Sequence, residues 1–250
     1  MKVALAVNRV TADPRRNLDE ILMMINQATQ ENADLILFPE AALTGLINND
    51  DADHDLPLGQ TIPGAITVQL AHRSRSACIW TAIGLLERDG NTLYDTAILI
   101  APDGEIKLKY RRIQPQWHGR NADPQVYRQG TEVTKIDTPL GSFAFLVCGD
   151  LFDDEIAARV KALHPDWVLF PFARCFDDGS LYDQARWDNE EQVVYAERVK
   201  RIGVTTLMTN YVAEKSLLGG AFGGAFVIAG DGNIQASFPL GKQGLLTVTM

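Results

Sequence analysis

Two side chains sit where an apolar run gives way to a turn, and both are of types that take part in acyl chemistry. Cys148 closes the run Phe143–Val147 (FAFLV) and is followed at once by Gly149 and an acidic helix start, Asp150–Glu155. A strand-to-helix turn displays its side chain at the C-terminal edge of a sheet, where open α/β sheets bind ligands. A helix N-terminus there would favour the thiolate and supply backbone N–H groups to an oxyanion. From this context alone two readings stand side by side, a nucleophile and a buried structural thiol. Cys78 lies within Ala77–Ile83 (ACIWTAI) and reads as a small core residue. Cys175 follows Pro171-Phe172-Ala173-Arg174 and has no local activating feature.

A thiol nucleophile needs a base. Histidine is the usual partner, but His54, His72, His118 and His164 all fall away from strand ends with tight turns. Glu40 does fall at such a place, directly after Leu37-Phe38-Pro39. It is either an ordinary solvated loop glutamate or a positioned base, and the proline before it, by fixing its own φ, suits the second.

The elements that must position these residues can be read from hydrophobic period. Lys2–Val7 is a strand, and a helix follows in which Asn17 and Glu20 are spaced as a capping pair ahead of the stripe Leu18, Ile21, Leu22, Ile25 and Ala28. Ala33–Phe38 is apolar without alternation, as expected of a buried parallel strand. The stretch Ile66–Ala77 is weakly helical. Ile79–Leu86, Thr92–Ala101 and Glu105–Ile113 form a meander punctuated by Asp89-Gly90 and Asp103-Gly104. The second half repeats this grammar: strand Ser142–Val147, helix Asp153–Leu163, strand Trp167–Phe170, a long helix from Tyr182 to Arg201, strand Val204–Met208, a hairpin around Asp231-Gly232 and a last strand Leu245–Val248. Parallel units mixed with meanders imply one α/β domain of two sheets covered on both faces.

Composition narrows the partners. The 250 residues are 46% hydrophobic and 22% charged, a globular balance that needs no disulfide staple. A net charge of −9 and a pI near 4.9 argue against nucleic acid or an anionic membrane surface as partner. No apolar run approaches the ~18 residues of a membrane span, and Val3–Val7 is too short for a signal-peptide core. Three cysteines make no disulfide framework, so a cytoplasmic protein with reduced thiols is expected.

An ordered set of motifs then carries a resemblance. Phe38-Pro39-Glu40-Ala41-Ala42-Leu43-Thr44-Gly45 and Cys148-Gly149-Asp150-Leu151, with Glu155 seven residues after the cysteine, resemble the glutamate and nucleophile motifs of the nitrilase superfamily, the carbon–nitrogen hydrolases. Tyr94-Asp95-Thr96-Ala97, Pro102-Asp103-Gly104 and Tyr110-Arg111-Arg112 follow the strand–turn–strand segment between them. Asn210, Phe222-Gly223-Gly224-Ala225 and Gly230-Asp231-Gly232 match later landmarks. The resemblance spans the chain. It implies a four-layer α-β-β-α sandwich of two mixed sheets, a single domain over 1–250, and subunits paired as a homodimer or higher oligomer. It implies no cofactor and no metal.

By position, the family's nucleophile, base and lysine fall at Cys148, Glu40 and Arg112, and the backbone N–H of Gly149 is expected to help bind the substrate oxyanion. Arg112 departs from the pattern: a guanidinium can hold an oxyanion, but with a pKa above about 12 it cannot pass a proton to a leaving amine. Strand alternation puts Arg112 with Tyr110 and sets Lys109 and Arg111 on the other face, so Lys109 is a poor substitute. Two further departures follow. A second family glutamate, counted seven back from Gly130, lands on Asp123, a substrate-binding candidate one methylene shorter, and the helix before Asn210 carries Arg201 where a glutamate is common.

The expectation is hydrolysis of a small linear amide or carbamoyl compound through a cysteine thioester. Nitrile hydrolysis is disfavoured because nitrilases typically follow the cysteine with Trp-Glu. The rival is a weakened family member that binds a small amide or a protein partner. The loop Asn48–Asp55 (NNDDADHD) has alternating acids, but Leu56 and Ile62 stand where a calcium loop needs Gly and Glu, so it reads as a solvated acidic loop near the pocket mouth. Trp80, Trp117, Trp167 and Trp187 read as packing residues. Gly219, Gly220, Gly223 and Gly224 lack the Gly-Lys-Ser/Thr of a phosphate loop.

Overall fold

The structure, a computed structural model, describes residues 1–176, 182–215, 217 and 220–250; Gly219 lies outside them. Chain order runs β1 (Lys2–Val7), β2 (Arg9–Val10), α1 (Pro14–Gln30), β3 (Leu35–Leu37), α2 (Ala52–Asp55), α3 (Ala65–Ala77), β4 (Trp80–Asp89), β5 (Thr92–Ile100) and β6 (Ile106–Arg111). It continues with β7 (Lys135–Thr138), β8 (Gly141–Phe145), α4 (Asp154–Leu163), β9 (Trp167–Pro171), α5 (Gln184–Arg186) and α6 (Gln192–Ile202). The last strands are β10 (Thr205–Thr209), β11 (Val212–Ala213), β12 (Gly223–Ile228), β13 (Ile234–Leu240) and β14 (Gly244–Thr249).

Two six-stranded mixed sheets result, ordered β14-β1-β3-β4-β5-β6 and β13-β12-β10-β9-β8-β7. Each has a parallel triple at its centre, β1-β3-β4 in one and β8-β9-β10 in the other, flanked by antiparallel strands. Between the sheets lies one apolar layer, to which Val3, Leu5, Leu37, Ala97 and Leu99 contribute from the first sheet and Phe143, Phe145, Leu169, Leu207 and Val227 from the second. On the outer face of the first sheet, α1 and α3 cover Ile36, Ile83 and Ile98; on that of the second, α4 and α6 cover Ala144, Val168 and Phe226. The layers are α-β-β-α, as the resemblance implies. Among the described residues, no helix is long and apolar enough to cross a membrane.

Several elements differ from the sequence reading, each for a local reason. Helix α1 begins at Pro14, whose absent N–H costs nothing in the first turn, with Asp13 Oδ1 accepting from Arg15 N at 2.9 Å. Asn17 and Glu20 therefore do not form its cap. Asn17 is buried and ties Thr11 to the Leu43 carbonyl, and Glu20 accepts from Arg9 N. Helix α4 falls where Asp153–Leu163 was read, with Asp153 capping it through Glu155 N and Ile156 N, but the acidic stretch from Asp150 that leads into it lies in a 3₁₀ turn over Cys148–Phe152. The long helix Tyr182–Arg201 is interrupted by a π turn, Trp187–Glu191, with the Trp187 ring against Phe222 and Phe226 in the core. Edge strand β7 was not anticipated, because its run Lys-Ile-Asp-Thr is half polar.

Cys78 is a further correction. It ends α3 in the left-handed conformation, φ 51°, and is exposed rather than part of a strand core.

Candidate active site

Glu40 is positioned by backbone. After β3 the chain is pinned to β4 through Phe38 N to Ala82 O (2.8 Å), Gly84 N to Pro39 O (3.0 Å) and Ala42 N to Gly84 O (3.0 Å). This close approach needs a glycine: a Cβ on Gly84 would lie 2.5 Å from Glu40 Cα and 2.6 Å from the Pro39 carbonyl oxygen. An isolated glycine inside a strand pattern is the sequence signal for such an approach. The carboxyl that results is fully buried.

Arg112 follows β6 and is held by its own N–H to Asp95 O (2.8 Å) and by Gly130 N to its carbonyl (2.8 Å). Its side chain turns inward with Tyr110, while Lys109 and Arg111 pair with Glu87 on the other side. Nη1 donates to Glu40 Oε1 at 2.9 Å and to Asp95 Oδ2 at 3.3 Å, and Nη2 donates to Gln114 Oε1 at 3.0 Å. Nε has no partner.

Cys148 opens the 3₁₀ turn at φ 45°, a left-handed conformation that is uncommon for a residue with a Cβ and that the neighbouring contacts must hold. Asp150 supplies them. Its buried carboxylate accepts from Val147 N (3.0 Å) and Tyr110 Oη (2.8 Å) on one oxygen, and from Gln114 N (2.8 Å) and Ile113 N (3.1 Å) on the other. One side chain thus clamps the turn of Cys148 to the strand end that carries Arg112. The Cys148 thiol is half-buried, 3.6 Å from the Ala173 carbonyl, and near enough to Glu40 to raise its carboxyl. Gly149 occupies the second position of the turn, where a backbone N–H has no acceptor within the helix. A Cβ there would collide with Arg112 Nη2 and sit 2.7 Å from Gln114 Oε1.

Burial dominates the electrostatics. It pushes Glu40 up to about 8, helped by Cys148 and opposed by Arg112 and by a hydrogen bond from Asp95. Asp95 is pushed well above the carboxylate range by burial and then by the neighbouring Glu40. Burial works against the Arg112 cation too, but attraction from Cys148, Glu40, Asp95 and Asp150 outweighs it, so the guanidinium stays charged.

The structure thus brings Glu40, Arg112, Cys148 and Gly149 together and adds three groups not singled out from sequence as site residues: Asp95, Gln114 and the clamp Asp150. Asp123 is not brought in. It is exposed, its carboxylate accepts from Gln125 N and its carbonyl from Val126 and Tyr127. Arg201 is also remote, exposed and paired with Asp154. A cavity of about 320 Å³ opens beside Gly149, lined by Gln114, Gln116, Phe152 and Asp153; another of about 240 Å³ shares Gln116 and reaches Asn48, Asp50 and His118. A larger groove, about 500 Å³ around Lys109, Arg111 and Arg128, is lined by none of Glu40, Arg112 and Cys148. Among the described residues no group of His, Cys, Asp and Glu is arranged to hold a metal.

The acidic loop is not simply solvated. Asp55 is completely buried and accepts from Asn49 N, Asp50 N and Tyr127 Oη (2.6 Å), with His54 Nδ1 2.6 Å away. Asp50 in turn accepts from Gly119 N. The loop is built around a carboxylate and fastened to the segment 117–127.

A buried acid, a buried cation and a thiol on a tight turn meet beyond the strand ends of an α-β-β-α sandwich, an arrangement able to support acyl chemistry on sulfur. The chain matches the carbon-nitrogen hydrolase family over residues 2–250, and it belongs to that family, within the nitrilase superfamily of C–N bond hydrolases. An aliphatic nitrilase of Sinorhizobium fredii is 28% identical over 56% of this chain, a stretch that makes up 49% of that protein. A nitrilase of Pyrococcus abyssi is 28% identical, with 69% of this chain and 67% of that protein covered. The chain thus spans about half to two thirds of the length of these relatives. An amidase from Nesterenkonia sp. AN1 shares the fold at a TM-score of 0.83 and 22% identity, covering 100% of this chain and 92% of that one.

Proposed function

We propose that this enzyme hydrolyses a small linear amide or carbamoyl compound through a thioester on Cys148, acting as a single domain over residues 1–250. The observation that carries the reading is the gathering of a buried Glu40 carboxyl, raised by Cys148, with Arg112, which bonds Glu40 through one nitrogen and lies against Gly149 in the turn of the nucleophile through the other. Support also comes from the Nesterenkonia amidase, whose active-site cysteine carries the acetamide moiety of fluoroacetamide in one structure and which holds butyramide in another.

In the proposed reaction the Cys148 sulfur attacks the carbonyl carbon as Glu40 takes the thiol proton. The oxyanion forms against the Gly149 N–H and the Arg112 side. Glu40 returns the proton to the leaving nitrogen, the C–N bond breaks and the amine departs. Glu40 then takes a proton from water, hydroxide adds to the thioester carbon, and collapse breaks the C–S bond; the sulfur is reprotonated from Glu40. No cofactor is needed.

A screen of small amides tests this, read by ammonia release and by an acyl-enzyme mass shift mapped to the peptide of Cys148. Cys148→Ala should abolish both signals; a persistent adduct elsewhere would remove the assignment. Simple thiol labelling is less informative, since Cys78 is exposed. A second reading, a weakened member that binds an amide or a protein partner, is favoured by one observation: Arg112 is tied to Glu40, Asp95 and Gln114 and has no proton to give. Binding of an amide without turnover would support it.

A further inference from the structure

Two buried acids face one buried cation at this site, and the sequence pattern gives no reason for the second. Glu40, Asp95 and Arg112 are 0%, 1% and 3% exposed. Arg112 Nη1 is shared between Glu40 Oε1 at 2.9 Å and Asp95 Oδ2 at 3.3 Å. Each acid keeps one oxygen, Glu40 Oε2 and Asp95 Oδ1, with no N–H or O–H donor from any other group. The two carboxyls are held side by side, since a single guanidinium nitrogen bonds an oxygen of each. Two ionised carboxylates held on one nitrogen in a site closed to water repel, and one proton between them removes that repulsion and gives the pair a hydrogen to share. The same proton balances the charge, leaving one carboxylate against one guanidinium where water cannot compensate a second negative charge.

We infer that Asp95 works as a neutral carboxylic acid whose hydroxyl donates to Glu40, a positioning group that counters the burial of Glu40 and shifts it toward the carboxylate form beside Cys148. Geometry selects which acid holds the proton. The shorter bond from Arg112 goes to Glu40, so the cation favours charge there. The charged groups facing Asp95 are Glu40 from the loop after β3 and Arg112 from the end of β6, with Cys148 and Asp150 beyond them. Burial raises both acids, and the hydrogen bond between them lowers Glu40 while raising Asp95.

The inference rests on the reading of Glu40 as the base and supplies what Arg112 cannot. A hydrogen bond that stabilises the Glu40 carboxylate also makes protonated Glu40 a stronger acid. Glu40 can then both accept the thiol proton and release it to the leaving nitrogen. Asp95 neither gains nor loses a proton over the cycle.

The test is Asp95→Asn with Asp95→Ser beside it. The asparagine amide reproduces the neutral acid, donating to Glu40 through Nδ2 and accepting from Arg112 through Oδ1. It should fold, keep kcat/KM within roughly threefold and leave the acidic midpoint of the pH–rate profile within about half a unit of wild type. Serine, too short to span both partners, should move that midpoint upward and lose rate at neutral pH, with recovery at higher pH. The infrared difference spectrum, wild type minus Asp95→Asn, should contain the carbonyl band of a protonated acid. A carboxylate band in its place, a midpoint lowered by a unit or more in the asparagine variant, or failure of that variant to fold would overturn the inference. If Cys148→Ala and Glu40→Gln leave turnover intact, the catalytic reading itself fails, while the infrared band still decides the state of Asp95.

Discussion

Glu40 bears the electrostatic conflict of the site, and its pH behaviour follows from that. Its carboxyl lies at about 8 in the folded protein against 4.5 for the free group. A raised value means that the folded state holds the proton more tightly than the unfolded chain. The associated stability is full below about 4.5 and is lost as pH rises to about 8. Glu40→Gln should therefore lose turnover yet melt at an increasingly higher temperature than wild type as pH rises through that window; parallel melting curves at all pH values would refute the shift. Arg112 gives the second residue-scale prediction. Lysine there can donate a proton to a leaving amine, so Arg112→Lys should raise turnover of an amide relative to an ester of the same acid, with some loss of stability as Gln114 loses its donor. An unchanged ratio would show that position 112 does not limit amine departure. Glu40 and Cys148 stood out because each ends an apolar run at a turn, with Gly149 next to the second, whereas Arg112 ends the half-charged strand Ile106–Arg111 and was indicated by the resemblance. Asp95 was less so, since a single acid beside Thr96 and Ala97 does not reveal that two other strands bring Glu40 and Arg112 against it.

Strands of the parallel cores could be read almost to the residue, β1 over Lys2–Val7 above all, because a strand buried on both faces must be apolar throughout. Turns were harder. The 3₁₀ turn at Cys148 exists because the Asp150 carboxylate is taken up by four donors, three of them more than thirty residues away, and no local pattern encodes such a partner. The loop over 48–55 is the same case: a stretch polar but for Ala52 reads as solvated, yet Asp55 is its core. Removing that acceptor leaves buried N–H groups and the Tyr127 hydroxyl unpaired, so Asp55→Ala should cost about 1–3 kcal/mol in urea unfolding. Tyr127→Phe, which leaves the backbone donors in place, should cost less. If the two variants unfold at the same midpoint, the backbone bonds to Asp55 contribute nothing.

At the scale of the molecule, the two halves repeat one arrangement, a parallel triple with antiparallel flanks, and pack the repeats face to face. The site lies where the strand ends of the two halves meet: Glu40 and Arg112 come from the first sheet, Cys148 from the second. The outer layer is less complete. On α6, Val193 and Val194 are adjacent and each 47% exposed, and Phe152 on the site's own 3₁₀ turn is 42% exposed. Scattered apolar residues on a surface are ordinary, but these belong to elements that touch, α6 and the turn after Cys148. The sequence resemblance implies a homodimer or larger, and this face has the apolar content to form one. Each chain carries a net charge of −9, so association must overcome repulsion that salt screens. Light scattering at micromolar concentration should therefore give at least twice the 27.6 kDa chain mass, with dissociation favoured at low ionic strength. Val193→Asp should shift the population toward monomer, because it places another acid in the apolar patch. Phe152 ties this surface to the turn of the nucleophile, so the monomeric variant should also lose activity, in proportion to the monomer fraction. A wild-type chain that scatters as a monomer at every salt concentration would refute the association, and a fully active monomer would cut the link between this face and the site.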